Sequence, residues 1–332
     1  MNQICSIIIP FQNISPYLYE TLDYINNLED ASFEVILLPD DQISSNEFNK
    51  YKFPILIIPT GDVSPAIKRD IGADQCQGSF LAFIDDDAFP KGNWLKKAIQ
   101  HFKDQEVAAV GGPQITPHTD SFWQRVSGAS FLPVVNGKTV DRYWPGSNTY
   151  EVEDWPSVNL VVRKKDFDAV KGFDSSYWPG EDTKLCHDLI VTLGKKIIYE
   201  PEAIVFHHRR AGFRKHMKQV GNYGLHRGFF AKRFPKTSLK LSYVIPSCFF
   251  LFVVLGWPSI LAGGILTQIY FLFWCLYLIS ILISFFSIYI KTKEFFTSFF
   301  SLSYIIGTHF WYGLRFLQGF MFVQNLKSKL GR

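Results

Sequence analysis

In this 332-residue sequence, two short acidic runs and one pair of histidines are the side chains whose types and spacing suit catalysis. Asp85-Asp86-Asp87 puts three carboxylates on consecutive residues, directly after the apolar run Phe80-Leu81-Ala82-Phe83-Ile84. Like charges repel, so such a cluster is costly unless a cation or several donors neutralise it. A hard divalent ion does so and keeps positions open for phosphate oxygens. The plain alternative is an acidic loop or a cap before Trp94, but the place at the end of an apolar strand favours the metal. Glu181-Asp182, after Tyr177-Trp178-Pro179-Gly180, is a second carboxylate centre. A carboxylate there either takes the proton of a hydroxyl nucleophile or caps a helix expected over 183–193, as acids in a first turn do. His207-His208 ends another apolar run, where imidazole either completes a metal's coordination or makes a structural hydrogen bond.

These groups need a scaffold to hold them. Apolar runs at 5–10, 33–38, 55–58 and 80–84 alternate with helix-like segments over 14–27 and 64–75, the pattern of βαβ units. Each run is apolar almost throughout, which predicts a sheet covered on both faces. Ser64 and Pro65 read as the N-cap and first position of the second helix. A helix over 94–102 and strands at 107–112, 158–162 and 196–199 extend the pattern. Open α/β sheets bind ligands beyond the C-terminal ends of their strands, which puts Asp40-Asp41 and the Asp85 cluster on one edge. Residues 114–156, rich in Trp, Pro, Gly and Ser without a clear period, read as long loops over a site.

Composition divides the chain. The net charge of +4 carries no domain-wide basic excess of the kind that binds nucleic acid. The five cysteines form no close pair, so neither a disulfide framework nor a zinc site is signalled. From Leu241 to Ile290, roughly 50 residues pass without a charged side chain, against the roughly 20 that span a bilayer. Apolar segments at 243–263 and 265–290 predict two crossings. A third at 295–323 contains His309 and Arg315 and reads as either a crossing or an interfacial segment. Basic residues from Arg209 to Lys240 precede the apolar region, so the positive-inside rule puts the preceding domain in the cytoplasm of a multi-pass membrane protein, with anionic headgroups as partners. Gln219, Tyr223 and Arg227, spaced by four, share a helix face. That face either reaches a ligand or lies on lipid.

Several of these motifs, in this order, resemble the family 2 glycosyltransferases. The resemblance covers about residues 5–232. It rests on Ser6-Ile7-Ile8-Ile9-Pro10, on Ser64-Pro65-Ala66-Ile67-Lys68-Arg69-Asp70-Ile71-Gly72, on Gly78-Ser79 leading into Asp85 and Asp87 as an Asp-x-Asp motif, and on Glu181-Asp182. It implies an α/β, Rossmann-like GT-A domain with a mixed central sheet over 1–210, a basic interface segment over 211–240 and a membrane region over 241–332. It implies an inverting, metal-dependent transferase with a nucleotide-sugar donor and a lipid-linked or glycan acceptor.

By the resemblance, Asp87 holds Mg²⁺ or Mn²⁺ and Asp85 contacts the ribose or the metal's shell, and the residues themselves offer His207 or His208 as a further ligand. Pro10, Asp40, Asp41, Arg69, Asp85 and Asp86 bind the donor. Asp182 is the base, Glu181 supports it, and Asn159, Trp178, Gln219 and Arg227 lie on the acceptor side. The chain departs from the family where Pro39-Asp40-Asp41-Gln42 replaces a paired Asp followed by Gly-Ser, and where Asp70 stands for the more usual Asn. It lacks the Gln-x-x-Arg-Trp motif of processive synthases, which favours transfer of single sugars. The rivals are a processive polysaccharide or polyprenyl-phosphate sugar synthase and a non-catalytic nucleotide-binding scaffold.

Overall fold

The computed structural model describes residues 5–29, 32–178 and 180–326. Pro179 of the aromatic run before Glu181 lies outside them. The chain forms two compact units, one of Met1–Ile115, Trp144–His207 and Ser328–Arg332, the other of Thr116–Tyr143 and His208–Lys327.

The first unit runs β1 (Cys5–Pro10), α1 (Pro16–Ile25), β2 (Phe33–Leu38), β3 (Ile55–Ile57), α2 (Pro65–Gln75), β4 (Phe80–Phe83), β5 (Ala88–Pro90), α3 (Trp94–Ile99), β6 (Val107–Gly111) and β7 (Gln114–Ile115). After α4 (Phe122–Ala129), which belongs to the second unit, it resumes with β8 (Tyr150–Val152), β9 (Leu160–Arg163), α5 (Lys164–Ala169), α6 (Glu181–His187), β10 (Lys196–Tyr199) and β11 (Val205–His207). Eight strands form one sheet in the order β3-β2-β1-β4-β9-β6-β10-β8, and β5-β11-β7 form a second. The sheet is mixed: β1 pairs in parallel with β2 and β4, while β9 runs antiparallel to β4 and β6.

Alternation along the strands builds two cores. Ile7, Ile9, Val35, Leu37 and Ala82 point into one, and Ile8, Ile36, Leu38, Leu81 and Phe83 into the other. Both faces are therefore covered, which is why these strands are apolar throughout. Ser64 caps α2 by accepting the Ile67 N–H, and Pro65 occupies its first turn. Arg163 is not the surface charge its position suggests. It is buried and donates to the carbonyls of Phe102, Asp104 and Val107, tying β9 to the turn before β6.

The second unit differs from the sequence expectation in two ways. Residues 114–156 are not all loop, since Ser121 and Gln124 form a capping box that opens α4. The first apolar segment is also not one helix. α7 (Phe213–Arg233) and α8 (Pro235–Ser238) lead to α9 (Leu241–Leu255), and the chain breaks around Gly256 before α10 (Pro258–Ala262), α11 (Gly264–Thr292) and α12 (Phe295–Phe322). The 15 residues of α9 span about 22 Å, short of a bilayer core of about 30 Å. Among the described residues one helix, α11, is long and apolar enough to cross a membrane, with a mean hydropathy of 2.3 over an 18-residue window. Close approach of backbones packs α7 on α12: a Cβ at Gly228 would lie 2.0 Å from the Phe316 carbonyl, and one at Gly319 would lie 1.9 Å from that of Leu225. His216, buried between Ser127 and Thr308, ties α7 to α4 and α12, and burial lowers its pKa to about 4.

Candidate active site

Strand order sets the first acidic centre. β1, β2 and β4 are parallel neighbours, so Pro10, Asp40 and Asp85 emerge at a common edge. The chain turns sharply after β4, where the Ala88 N–H donates to the Asp85 carbonyl, and Thr21 of α1 clamps the turn by donating to the carbonyls of Asp86 and Ala88. β5 then pairs antiparallel with β11 in a register that sets His207 opposite Ala88. As a result His207 Nε2 lies 3.3 Å from Asp87 Oδ1, and oxygens of Asp85 and Asp87 and a ring nitrogen of His207 all come within 4.8 Å of one another.

On its other side β11 pairs with β7, which brings Gln114 Oε1 to 2.8 Å from His207 Nδ1. An amide oxygen only accepts, so Nδ1 donates to it and Nε2 is the ring nitrogen that faces Asp87.

Arg69 of α2 joins this centre to the second. Its buried guanidinium donates from Nη2 to Asp85 Oδ1 at 2.7 Å and from Nη1 to Glu181 Oε1 at 3.0 Å, and it lies 5.7 Å from the centre of the Phe173 ring. Burial works against the Arg69 charge, but Asp85 and Glu181 outweigh it and its pKa is raised. Glu181 is also buried. Desolvation, and then the adjacent Asp182, push its pKa up to about 7 against the pull of Arg69. Asp182 is half-buried at the start of α6, where its Oδ1 accepts the Thr183 N–H at 2.7 Å.

Beside the first centre lies a cleft of about 320 Å³ whose lining includes Pro10, Phe11, Gln12, Lys68, Asp86 and Trp178. Lys68 is 2 % exposed. Its Nζ donates to the carbonyls of Phe11 (2.6 Å) and Leu38 (3.1 Å) and to Asp40 Oδ1 (2.5 Å), which accounts for all three ammonium protons.

Residues 6–159 match the family described as Glycosyl transferase family 2. The chain carries a family 2 glycosyltransferase domain. Its curated relatives include the pre-mycofactocin glycosyltransferase of Mycobacterium tuberculosis, 32% identical over 167 residues, which are 48% of this chain and 33% of that protein. Another is glycosyltransferase GlyA of Streptococcus pneumoniae, 22% identical over 221 residues, 62% of this chain and 31% of that protein. The chain thus spans about a third of the length of these relatives. Among solved structures, mannosyltransferase PcManGT from Pyrobaculum calidifontis, in complex with GDP-Man and Mn²⁺, superposes with a TM-score of 0.61 at 15% identity. The alignment covers 96% of this chain and 87% of that one, and at this identity what the two share is the GT-A-like fold.

Within the glycosyltransferase domain the structure sorts the residues singled out by sequence. It gathers Asp85, Asp87 and His207, links Asp85 to Glu181 through Arg69, and sets Pro10 and Asp86 on the cleft. Asp40 is tied to Lys68, and Asp41 beside it is exposed. Trp178, expected on the acceptor side, lines the same cleft as Pro10 and Asp86.

Two residues take other roles. Asn159 is buried, its Nδ2 donating to the carbonyls of Pro113 and Ala203 and its Oδ1 accepting from Trp94 Nε1, so its amide is spent on the core. His208 is buried in the second unit with Nδ1 against Asp120 and does not join the three-residue group. Gln219 and Arg227 also belong to the second unit, on α7, where Gln219 Nε2 donates to the Tyr223 hydroxyl at 2.9 Å. Sequence reasoning missed Lys68 and Gln114. A lysine inside a helical motif reads as a surface charge, and nothing in the sequence announces that Gln114 will pair with His207.

Proposed function

We propose that this chain is a metal-dependent, inverting glycosyltransferase that moves a sugar from a nucleotide-sugar donor to an acceptor presented at a membrane. The observation that carries the reading is the pair of acidic centres in one domain, Asp85-Asp87-His207 and Glu181-Asp182, joined by Arg69. Two carboxylates and an imidazole nitrogen form a hard oxygen and nitrogen donor set that suits Mg²⁺ or Mn²⁺. An ion held there would neutralise charge developing on the departing nucleoside diphosphate.

The remaining chemistry belongs to the chain's own side chains. Asp182 takes the proton of the acceptor hydroxyl as that oxygen bonds to the anomeric carbon. The bond from that carbon to the diphosphate breaks with its electron pair, and attack from the opposite face inverts the centre. Glu181 is the weaker candidate for base because its oxygen is committed to Arg69 in a buried setting. Its role is to hold Arg69, and through it Asp85, in place. Pro10, Asp86 and Trp178 offer a cleft for the donor, lined also by Lys68, which is paired with Asp40.

Two features of the second unit support a membrane acceptor. α11 exposes Leu266, Phe273, Leu276, Leu278, Leu282 and Phe286, an apolar surface too long for a water-facing helix. The basic residues around α7 favour the cytoplasmic leaflet of the cell membrane. The missing Gln-x-x-Arg-Trp motif favours transfer of single sugars over processive synthesis.

Asp182→Asn tests the mechanism. The variant should lose transfer of labelled sugar while keeping stabilisation by nucleotide-sugar and Mn²⁺ in thermal unfolding. Transfer near the wild-type rate would remove Asp182 as the base.

A further inference from the structure

The last helix, α12, is close-packed on one side and apolar and open on the other. Thr297, Ser298, Ser301, Tyr304, Phe316 and Gly319 are buried, whereas Phe296, Phe299, Ile306, Phe310 and Met321 are exposed. At 3.6 residues per turn the two sets fall on opposite faces.

The close-packed side belongs to α7. Phe213 packs edge-on against Tyr304 with ring centres 5.1 Å apart, His216 Nε2 lies 3.0 Å from Thr308 Oγ1, and Lys232 Nζ donates to the Val323 carbonyl at 2.7 Å. The two helices therefore run side by side in the same direction for about 28 Å. Arg315, the one Lys, Arg, Asp or Glu in α12, turns to this side as well, its Nε donating to the Gly221 carbonyl at 3.4 Å. The far side of α7 is polar. Arg214, Lys215 and Lys218 near its start and Lys232 and Arg233 at its end are exposed, and Gln219, Asn222 and Tyr223 lie between them. A crossing α12 would carry α7 into the bilayer beside it, and α7 has no apolar band to match a hydrocarbon core of about 30 Å.

The apolar helices reach α12 from its open side. A Cβ at Gly313 would lie 2.1 Å from the Pro246 carbonyl of α9, and Phe250 of α9 packs on Phe310 with ring centres 4.9 Å apart. α12 thus lies between a polar helix and an apolar one. At its N-terminal end the exposed Trp123 of α4 packs 5.7 Å from the Phe300 ring, and tryptophan is a side chain of membrane–water boundaries.

We propose that α12 lies flat in the membrane–water boundary of one leaflet and does not cross the bilayer. Phe296, Phe299, Ile306 and Met321 sit among the acyl chains, and α7 rides on the opposite face with its terminal bases toward anionic headgroups. The occupant of the open face is the bilayer because that face continues onto the apolar α9, while the charge of the pair is confined to α7. Two consequences follow: α7 rests on α12 and not on lipid, and both ends of α12 stay on one side of the membrane. The inference takes from the proposed function only that the protein is held at a membrane, and it requires no transfer.

The test uses the full chain with Cys76, Cys248 and Cys275 replaced by serine, in vesicles of phosphatidylcholine and phosphatidylglycerol. A fluorophore is attached to Phe299→Cys, Ile306→Cys or Met321→Cys, or to Lys218→Cys on α7. Quenching by nitroxides fixed along the acyl chain should place the three α12 probes at one depth, about 5–10 Å into the boundary, and the Lys218→Cys probe outside the chains. An Ile306→Cys probe near the bilayer centre, about 15 Å down, with Phe299→Cys close to one surface, would mean a crossing and overturn the proposal. Absence of lipid quenching at all three, with a disulfide between copies of Phe299→Cys, would make a second copy the occupant and overturn it too. In sealed membrane vesicles from expressing cells, Lys293→Cys and Asn325→Cys, just beyond the two ends of α12, should react with an impermeant maleimide from the same side as Lys218→Cys. Reaction from opposite sides would refute the flat placement. A protein that does not float with the vesicles would remove the membrane from the proposed function as well, whereas a floating protein with a crossing α12 would refute this inference alone.

Discussion

Asp70 carries a charge that the fold is poorly built to hold, and replacing it should stabilise the protein in a pH-dependent way. It sits on α2 next to Arg69, and its Oδ1 accepts the Phe173 N–H at 2.8 Å. Gly172, at φ +72°, turns that N–H inward, and a Cβ there would lie 2.5 Å from the same oxygen. Desolvation raises the Asp70 pKa from 3.8 to about 7, with the Phe173 hydrogen bond opposing it. An acid whose folded-state pKa exceeds its unfolded value binds more protons when folded, so stability falls as pH rises from about 4 to about 7 and levels off above that. Three pH units correspond to at most about 4 kcal/mol. Asp70 is only partly buried, and solvent screening reduces this to about 1–2 kcal/mol. Asparagine keeps the accepting oxygen and removes the charge. Asp70→Asn should therefore raise the midpoint of thermal unfolding, followed by tryptophan fluorescence, by about 1.5–3 °C near pH 8, and the gain should vanish near pH 4. A loss of stability near pH 8, or a gain independent of pH, would refute the reasoning.

Two further outcomes follow from the geometry. His207→Gln removes a metal-ligating nitrogen while leaving Asp85 and Asp87, and should weaken Mn²⁺ binding about tenfold in calorimetric titration; unchanged affinity would strike His207 from the ligand set. Gly228→Ala forces a methyl to within 2.0 Å of the Phe316 carbonyl and should lower stability by about 1–3 kcal/mol, seen as an earlier thermal transition, whereas a neutral result would mean that α7 and α12 can part without cost.

How far the fold could be read beforehand depended on burial. Cys5–Pro10, Phe33–Leu38 and Lys196–Tyr199 form strands with the expected limits, because a strand covered on both faces writes an unbroken apolar run into the sequence. α4 went unread since its eight residues are too few to show a helical period, and its capping box is the one local signal. The break at Gly256 was hidden for a different reason. Hydropathy sees the apolar segment 243–263 as continuous, whereas Gly256-Trp257-Pro258 ends one helix and starts another within it.

At the site, the place after an apolar strand made Asp85-Asp86-Asp87 conspicuous, whereas Glu181-Asp182 was distinguished from a helix cap only by the family resemblance. What the sequence could not show was how they are kept from repelling each other. Asp85 and Glu181 lie nearly a hundred residues apart, and each is an unstable neighbour for another carboxylate in a partly buried place. Arg69 resolves both problems with one guanidinium, because from α2 it reaches Asp85, just beyond β4, and Glu181, at the start of α6. A lysine there would offer a point charge to one partner, whereas the planar fork reaches two acids from separate nitrogens. The same logic explains His207. Its value to the centre comes from Gln114, which fixes the proton on Nδ1 and leaves Nε2 facing Asp87, a contact that exists only because β7, β11 and β5 pair side by side. The acids can thus be read from the sequence, while the groups that make them usable as a site are supplied by the topology.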